Sequence, residues 1–225
     1  MVEGLLAGVP LFAALDAESA VSLEATMTTR KVPRGHVVFA EGDPGDRLFV
    51  ILDGKVKISR AAPDGRENLL ALLGAGEMFG ELSLFDPRPR TASAITVTTS
   101  TLASLDHDDL RPLLFERPGV AVQLLKALAQ RLRRTNEAMA DLVFTDVPGR
   151  VAKALLDLSA KFGVAEDGAT RVRHDLTQEE LAQLVGASRE TVNKALSEFA
   201  HRGWLQIDGR SVLLLDPDRL ARRAH

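Results

Sequence analysis

The sequence of 225 residues predicts an α+β protein with an N-terminal β-roll, a long dimerisation helix and a C-terminal winged helix-turn-helix. Three observations predict this architecture. Residues 30–107 are rich in β-branched residues and broken by glycine turns, residues 118–144 repeat apolar side chains every seven positions, and residues 177–199 have the pattern of two short helices joined by a tight turn. We place the domain boundaries at 1–116, 117–145 and 146–225.

The β-roll is predicted from many short strands that are joined by close turns, a pattern typical of a small antiparallel barrel or roll. AspGly at 53–54 and ProAspGly at 63–65 are explicit turn signals. A short helical lead, with Pro10 and Asp16 as breaks, precedes the strands. We predict strands at Val37–Phe39, Leu48–Leu52, Val56–Arg60, Asn68–Leu73, Thr91–Thr96 and Leu102–Leu105.

The long helix carries an a/d heptad pattern over three repeats. Its two series, offset by three residues, are Val122, Ala129, Asn136 and Val143, and Leu125, Leu132 and Met139. This is the pattern of a two-stranded coiled coil, in which a polar a residue such as Asn136 fixes the register at some cost in stability. We therefore predict a homodimer. The alternative is a helix that packs only against its own β-roll.

Two caps and a glycine define the helix-turn-helix. Thr177 and Glu180 form a capping-box pattern, Gly186 ends the first helix where the turn needs a positive φ, and Ser188 caps the second helix. The outer face of that second helix carries Arg189, Glu190, Asn193 and Lys194.

A helix-turn-helix places the first residues of its second helix against base edges in the major groove. Arginine can contact guanine there through two hydrogen bonds, and a carboxylate can accept from cytosine. The segment therefore predicts sequence-selective binding of double-stranded DNA. The alternative is an ordinary two-helix hairpin that does not bind DNA, since such a hairpin can have the same caps and apolar stripes.

A β-hairpin is predicted after the second helix, because 201–205 and 211–215 flank AspGlyArg at 208–210, and it makes the module winged. The net charge of the chain is −3, and residues 146–225 hold 12 Lys and Arg against 12 Asp and Glu. Since DNA-binding domains are usually basic, we expect a local basic patch and salt-sensitive binding of modest affinity. The candidate patch is Arg189, Lys194, Arg202 and Arg210.

Composition excludes several other classes. The chain has no cysteine, which excludes disulfides, thiol catalysis and cysteine-ligated iron–sulfur clusters. Its apolar runs are too short to span a bilayer and its first residues lack a basic leader, so we expect a cytoplasmic protein without a membrane partner. HisAspAsp at 107–109 is interpreted as a polar helix start, and we predict neither a metal nor an enzymatic activity. Haem ligation by His36 or Met78 stays open, although no spacing supports it.

Four stretches are more specific than these patterns: PheGlyGluLeuSer at 79–83, ProArgThr at 89–91, AspValProGlyArgValAla at 146–152 and GlyAlaSerArgGluThrVal at 186–192. With them, essentially the whole chain resembles the cyclic-AMP receptor protein (CRP/FNR) family of bacterial regulators. ProAspGlyArgGluAsn at 63–68 resembles actinobacterial members in particular. The resemblance implies cyclic AMP as an allosteric ligand in the roll and RNA polymerase as a further partner. ThrAspValProGly at 145–149 breaks the chain between two helices, and we expect it to act as a hinge about which the ligand shifts the population.

The resemblance also implies the ligand contacts. Glu81 corresponds to the residue that accepts from the ribose 2′-OH, and Arg90 corresponds to the arginine that pairs with the cyclic phosphate. Gly80 corresponds to a glycine that lets backbone N–H groups approach the phosphate closely. Asn136 stands where the best-known member has serine, so purine selectivity is open. The full set is Gly80, Glu81, Leu82, Ser83, Arg90, Thr91, Thr135 and Asn136.

Three alternatives remain for this site. Glu81 and Arg90 could form a structural ion pair within the roll. Asn136 could serve only the register of a dimer. The roll as a whole could be independent of ligand, or could respond to another effector.

For DNA, the resemblance implies two groups of residues. Arg189, Glu190 and Lys194 correspond to base-reading positions. Thr177, Ser188 and Thr191 correspond to phosphate contacts, which set register and carry no sequence information. Lys194 stands where the best-known member has arginine. Because lysine lacks the bidentate fork, the half-site preference is expected to differ or loosen there.

Overall fold

The computed structural model describes residues 9–13, 15–62, 65, 67–86 and 88–224. The chain forms two compact units: residues up to 60 with 71–134, and 61–70 with residues from 135 onward. The predicted α+β class is confirmed. Within the described ranges, no helix has the length and apolar character needed to cross a membrane.

Among the described residues, eight strands form the N-terminal roll. They are β1 (Thr28–Val32), β2 (Val37–Phe39), β3 (Arg47–Asp53), β4 (Val56–Ala61), β5 (Glu67–Leu73), β6 (Met78–Phe79), β7 (Ser93–Thr96) and β8 (Ser100–Asp106). They make two four-stranded sheets of order β1-β8-β3-β6 and β2-β7-β4-β5. All six predicted strands are present, and β7 begins at Ser93, two residues later than expected.

In the described ranges, four helices accompany the roll. They are α1 (Ala17–Thr26), α2 (Leu82–Phe85), α3 (His107–Glu116) and α4 (Pro118–Phe144), preceded by a short 3-10 turn at Pro10–Phe12. Asp16 caps α1 through the backbone N–H of Ser19 at 2.8 Å. The predicted breaks at Pro10 and Asp16 are therefore helix starts, which fits the roles of proline and aspartate at N-termini.

Helix α4 has the predicted extent, and its two faces differ in burial. Its fully buried side chains, Val120 and Leu124, lie in its first two turns and pack into the roll core with Leu48 and Leu105. The apolar heptad residues are exposed by 60–73%: Val122, Leu125, Leu132, Met139 and Val143. Its own roll therefore covers the start of the helix and leaves this heptad stripe uncovered.

After α4, the described chain forms four helices and four strands. They are α5 (Val147–Phe162), β9 (Gly163–Glu166), β10 (Ala169–Arg173), α6 (Gln178–Val185), α7 (Arg189–His201), β11 (Leu205–Asp208), β12 (Ser211–Leu214) and α8 (Pro217–Arg223). The sheet order is β11-β12-β10-β9. The predicted wing hairpin is β11–β12, whereas the β9–β10 hairpin was not predicted.

The predicted local chemistry of the helix-turn-helix is confirmed. The side chain of Thr177 accepts from the Glu180 backbone, and the side chain of Glu180 accepts from the Thr177 backbone. Gly186 has φ +69°, and a Cβ there would lie 2.9 Å from Leu142 Cδ2. Ser188 accepts from the backbone of Thr191 at the start of α7. The turn therefore needs glycine for its backbone angle and for space.

Candidate functional site

Arg90 is the central charge of the predicted ligand site, and only 5% of it is exposed. Its Nη1 donates to the Gly80 carbonyl and its Nη2 to the Arg47 carbonyl, each at 2.8 Å. The guanidinium carbon lies 4.3 Å from the centroid of the Phe39 ring. Burial lowers the pKa of Arg90 from its usual value, while the nearby charge of Asp46 raises it.

The close approach of Arg90 constrains the residue type at position 80. Gly80 has φ +82°, and an added Cβ would lie 2.8 Å from Arg90 Nη1. The residues that follow turn into the short helix α2, where Leu82 is half exposed and Ser83 is buried. Gly45 approaches Ser83 so closely that a Cβ on Gly45 would overlap the serine hydroxyl. Segment 80–83 is thus held between a buried cation and a neighbouring loop.

Glu81 supplies the opposite charge and is 1% exposed. Its Oε1 accepts from Nη1 of Arg131 on α4 at 2.8 Å, and its Oε2 has no hydrogen-bond partner among the described residues. The carboxylate is therefore paired with Arg131, whereas the sequence alternative paired it with Arg90. Sequence analysis missed Arg131, although it lies one helical turn before Thr135 and so on the same helix face.

His107 is a second buried titratable group beside Arg90, and 5% of it is exposed. Burial lowers the pKa of His107, the charge of Arg90 lowers it further, and Asp46 and a hydrogen bond with the Gly80 backbone act in the opposite direction. Its Nε2 has no hydrogen-bond partner within the described part of the chain. The predicted helix start at His107 is correct, but its side chain belongs to the surroundings of Gly80 and Arg90.

A cavity of about 410 Å³ opens beside Arg90, with Phe39, Phe49 and Arg47 among its lining residues. Its size lies in the range of small-molecule sites. Of the predicted ligand residues, Arg90 alone is among the described residues that line it.

The remaining predicted ligand residues are not among the described residues that line this cavity. Thr91 is exposed, in the bend before β7. Thr135 and Asn136 are exposed on α4 and belong to the second compact unit. In the described parts of the chain, no group of three or more His, Asp or Glu side chains is placed to hold a metal ion.

The predicted DNA-reading residues share the first turns of α7. Behind them, Val192, Leu196 and Phe199 are buried, so the orientation of the helix is fixed by its inner face. The residues exposed on the outer side are Ser188, Arg189, Glu190, Thr191 and Lys194. The N-terminus of a helix carries a partial positive charge, which favours an approaching phosphate.

Two of the predicted phosphate contacts also cap helices. Thr177 Oγ1 accepts from the Glu180 backbone at 3.1 Å. The hydroxyls of Ser188 and Thr191 hydrogen-bond each other at 2.8 Å. These hydroxyls therefore have local structural partners in the described chain, and any phosphate contact would share them.

The lowered pKa of His107 predicts a pH-dependent stability. Between the unfolded pKa of about 6.5 and the lower folded value, the unfolded state binds more protons. The free energy of unfolding should therefore fall as the pH drops below about 6.5, by at most ~1.4 kcal/mol per pH unit. Urea denaturation between pH 5 and 8 measures this. His107→Gln should flatten the dependence and His201→Gln, at an exposed histidine, should keep it; an unchanged slope in His107→Gln would contradict the assignment.

Comparisons with known proteins match both units. A cyclic nucleotide-binding domain model matches residues 29–117, and a Crp-like helix-turn-helix domain model matches residues 149–223. The CRP-like cAMP-activated global transcriptional regulator of Mycobacterium tuberculosis is 59% identical over 99% of this chain and 100% of its own length. The cyclic AMP receptor protein of Thermus thermophilus is 38% identical over 91% of this chain and 92% of its own.

Among solved structures, the c-di-GMP responsive global regulator CLP of Xanthomonas campestris has a TM-score of 0.76 and 30% identity, covering 88% of this chain and 99% of that one. These matches join a nucleotide-binding roll to a helix-turn-helix in one chain, the combination that the residues around Arg90 and the exposed start of α7 also indicate. The chain therefore belongs to the CRP-like family of transcription regulators, and it is a regulator rather than an enzyme.

Proposed function

We propose that this protein is a cyclic-AMP-responsive transcription regulator that binds palindromic operator DNA as a homodimer. The observation that carries the proposal is that two buried side chains of opposite charge, Arg90 and Glu81, both lie next to Gly80. A cyclic phosphate needs a cation, a ribose hydroxyl needs an acceptor, and a close backbone approach needs glycine. The full-length relatives named for cyclic AMP support this ligand.

Arg90 keeps a donor for a ligand, because its buried Nε has no hydrogen-bond partner among the described residues. A phosphate would accept from this group, and Oε2 of Glu81 would accept from the ribose. We assign the remaining contacts to Leu82, Ser83, Thr91, Thr135 and Asn136. The ligand acts by its differential affinity for two arrangements of the chain, because equal affinity would shift no equilibrium.

The other partners follow from the surfaces. The uncovered heptad stripe of α4 is proposed as the dimer seam, which presents two α7 helices to half-sites about one DNA turn apart. The DNA contacts are assigned to Arg189, Glu190, Lys194, Thr177, Ser188 and Thr191. Promoter binding in the cytoplasm brings the dimer to RNA polymerase, which we propose as a further partner.

One observation favours a second candidate function, a regulator of the same fold that needs no ligand or senses another effector. Arg90 has two carbonyl partners and the ring of Phe39 within the roll, so a structural role is available to it beside ligand binding. A relative of the same family is named for its response to c-di-GMP. Calorimetric titration with cyclic AMP, cyclic GMP and c-di-GMP separates these candidates.

Arg90→Met should weaken cyclic-AMP binding by on the order of 10- to 100-fold, the worth of a hydrogen bond to a charged group. Isothermal titration calorimetry measures the affinity for cyclic AMP. A gel shift on operator DNA, with and without nucleotide, measures the effect on DNA binding. Arg88→Met is the matched control, since Arg88 is an exposed arginine two residues away. Retention of wild-type affinity in Arg90→Met would reject the assignment.

Arg189→Ala should cost about 1–3 kcal/mol on the operator and little on random DNA, because a base contact carries discrimination. Fluorescence anisotropy with an operator selected from a random library, and with a scrambled duplex, gives both values. Arg210→Ala at the wing should weaken both duplexes alike, as a phosphate contact does. Equal losses on both duplexes in Arg189→Ala would mean that this arginine contacts phosphate only.

Leu132→Glu should shift the protein from dimer to monomer, because two carboxylates would then meet in an apolar seam. Sedimentation equilibrium at micromolar concentration measures the change. Gln130→Glu adds the same charge on the same helix at an exposed position outside the a/d series and should remain dimeric. A dimer of undiminished stability in Leu132→Glu would place the interface elsewhere.

A further inference from the structure

Arg150 lies near the start of α5 and joins two separate segments of the C-terminal unit. Its Nη1 donates to the Thr145 carbonyl at 2.8 Å, its Nε to the Val185 carbonyl at 3.0 Å, and its Nη2 to the Gly186 carbonyl at 3.2 Å. Thr145 directly follows α4, while Val185 and Gly186 end α6 at the turn of the helix-turn-helix. One guanidinium thus binds the C-terminal ends of two helices.

These carbonyls are suited to a cation. The last carbonyls of a helix have no partner within the helix, and the helix dipole places partial negative charge there. Arginine offers five N–H donors in a fixed fork, so it can serve both ends at once, whereas lysine has a single ammonium group. The distance between the C-terminal ends of α4 and α6 is therefore set by the shape of the Arg150 side chain.

Neighbouring contacts brace the same junction. Lys153 on α5 forms an ion pair with Asp141 on α4. Leu142 lies so close to the turn that a Cβ on Gly186 would sit 2.9 Å from its Cδ2. The last ten residues of α4 accordingly belong to the same compact unit as the helix-turn-helix.

The start of α5 is held in the same way. Asp146 caps it through the Gly149 backbone at 2.9 Å. The other carboxylate oxygen of Asp146 accepts from Arg223 at 2.6 Å. The segment 145–149 is therefore tied to α5, to α8 and to the turn after α6.

We propose that Arg150 is a positioning residue that fixes the helix-turn-helix to the C-terminal end of α4, so that segment 145–149 transmits a ligand-driven change to α7 as a rigid connection. The inference rests on the proposed function, because the change is the one that cyclic AMP produces. Arg150 itself contacts neither ligand nor DNA in this scheme. It acts through the turn that sets the start of α7.

The test is the ratio of operator dissociation constants without and with saturating cyclic AMP, measured by anisotropy on full-length dimers. Arg150→Met removes the three donors and keeps an apolar stem, and should lower the ratio about tenfold toward one. Arg150→Lys, with one ammonium group, should recover part of it. Arg222→Met removes the same charge from an exposed site on α8 and should match the wild type.

A purely structural role predicts a different result. Operator binding would then weaken by the same factor with and without nucleotide, the ratio would stay at its wild-type value, and the inference would be rejected. A wild-type ratio of one would reject the proposed function and this inference with it. If circular dichroism shows that Arg150→Met does not fold, Arg150→Lys, which keeps the charge and loses the planar fork, replaces it as the test. It should lower the ratio, and an unchanged ratio would overturn the proposal.

Discussion

The N-terminal unit depends on keeping the guanidinium of Arg90 bonded away from water. A buried charge without partners costs several kcal/mol or more. Here the carbonyls of Gly80 and Arg47 and the ring of Phe39 supply partners, and Nε alone of the three guanidinium nitrogens has no hydrogen-bond partner among the described residues. Glycine is required at position 80 because its φ is positive and a Cβ would meet the guanidinium. The position of segment 80–83 therefore follows from the need to satisfy one cation.

The same hydrogen bonds set the energetic condition for a ligand. The guanidinium already makes charge-assisted bonds to two carbonyls, and a phosphate would add a full negative charge at Nε, which has no hydrogen-bond partner among the described residues. Glu81 is in a similar position, since Arg131 holds one of its oxygens and Oε2 has no such partner there. Binding would therefore use the donor and the acceptor that the surrounding chain leaves unpaired. Because Arg131 lies on α4, any change at Glu81 acts directly on the long helix.

The sequence predicted those elements whose determinants are local. The capping box at Thr177, the glycine at 186 and the extent of α4 each follow from a few adjacent residues. Strand β1 escaped prediction because it is polar and mostly exposed, and it is stabilised by pairing with β8 about seventy residues away. Arg131 escaped because its role depends on Glu81, fifty residues earlier. The β9–β10 hairpin did carry a local signal, AspGly at 167–168, which was overlooked.

Helix α4 links the three activities because different parts of it face different partners. Its first turns are buried in the roll through Val120 and Leu124, its middle carries Arg131, and its last turns are braced against the helix-turn-helix. Between these contacts the heptad stripe leaves large apolar side chains in water, which is unfavourable unless a second copy covers them. Asn136 would lie in the same seam, where a pair of polar side chains fixes the register of the two helices at some cost in stability. Under the proposed function, a ligand that alters the contacts of α4 would therefore bias the proposed dimer seam and the proposed DNA-reading helix together, and would need no separate path to either.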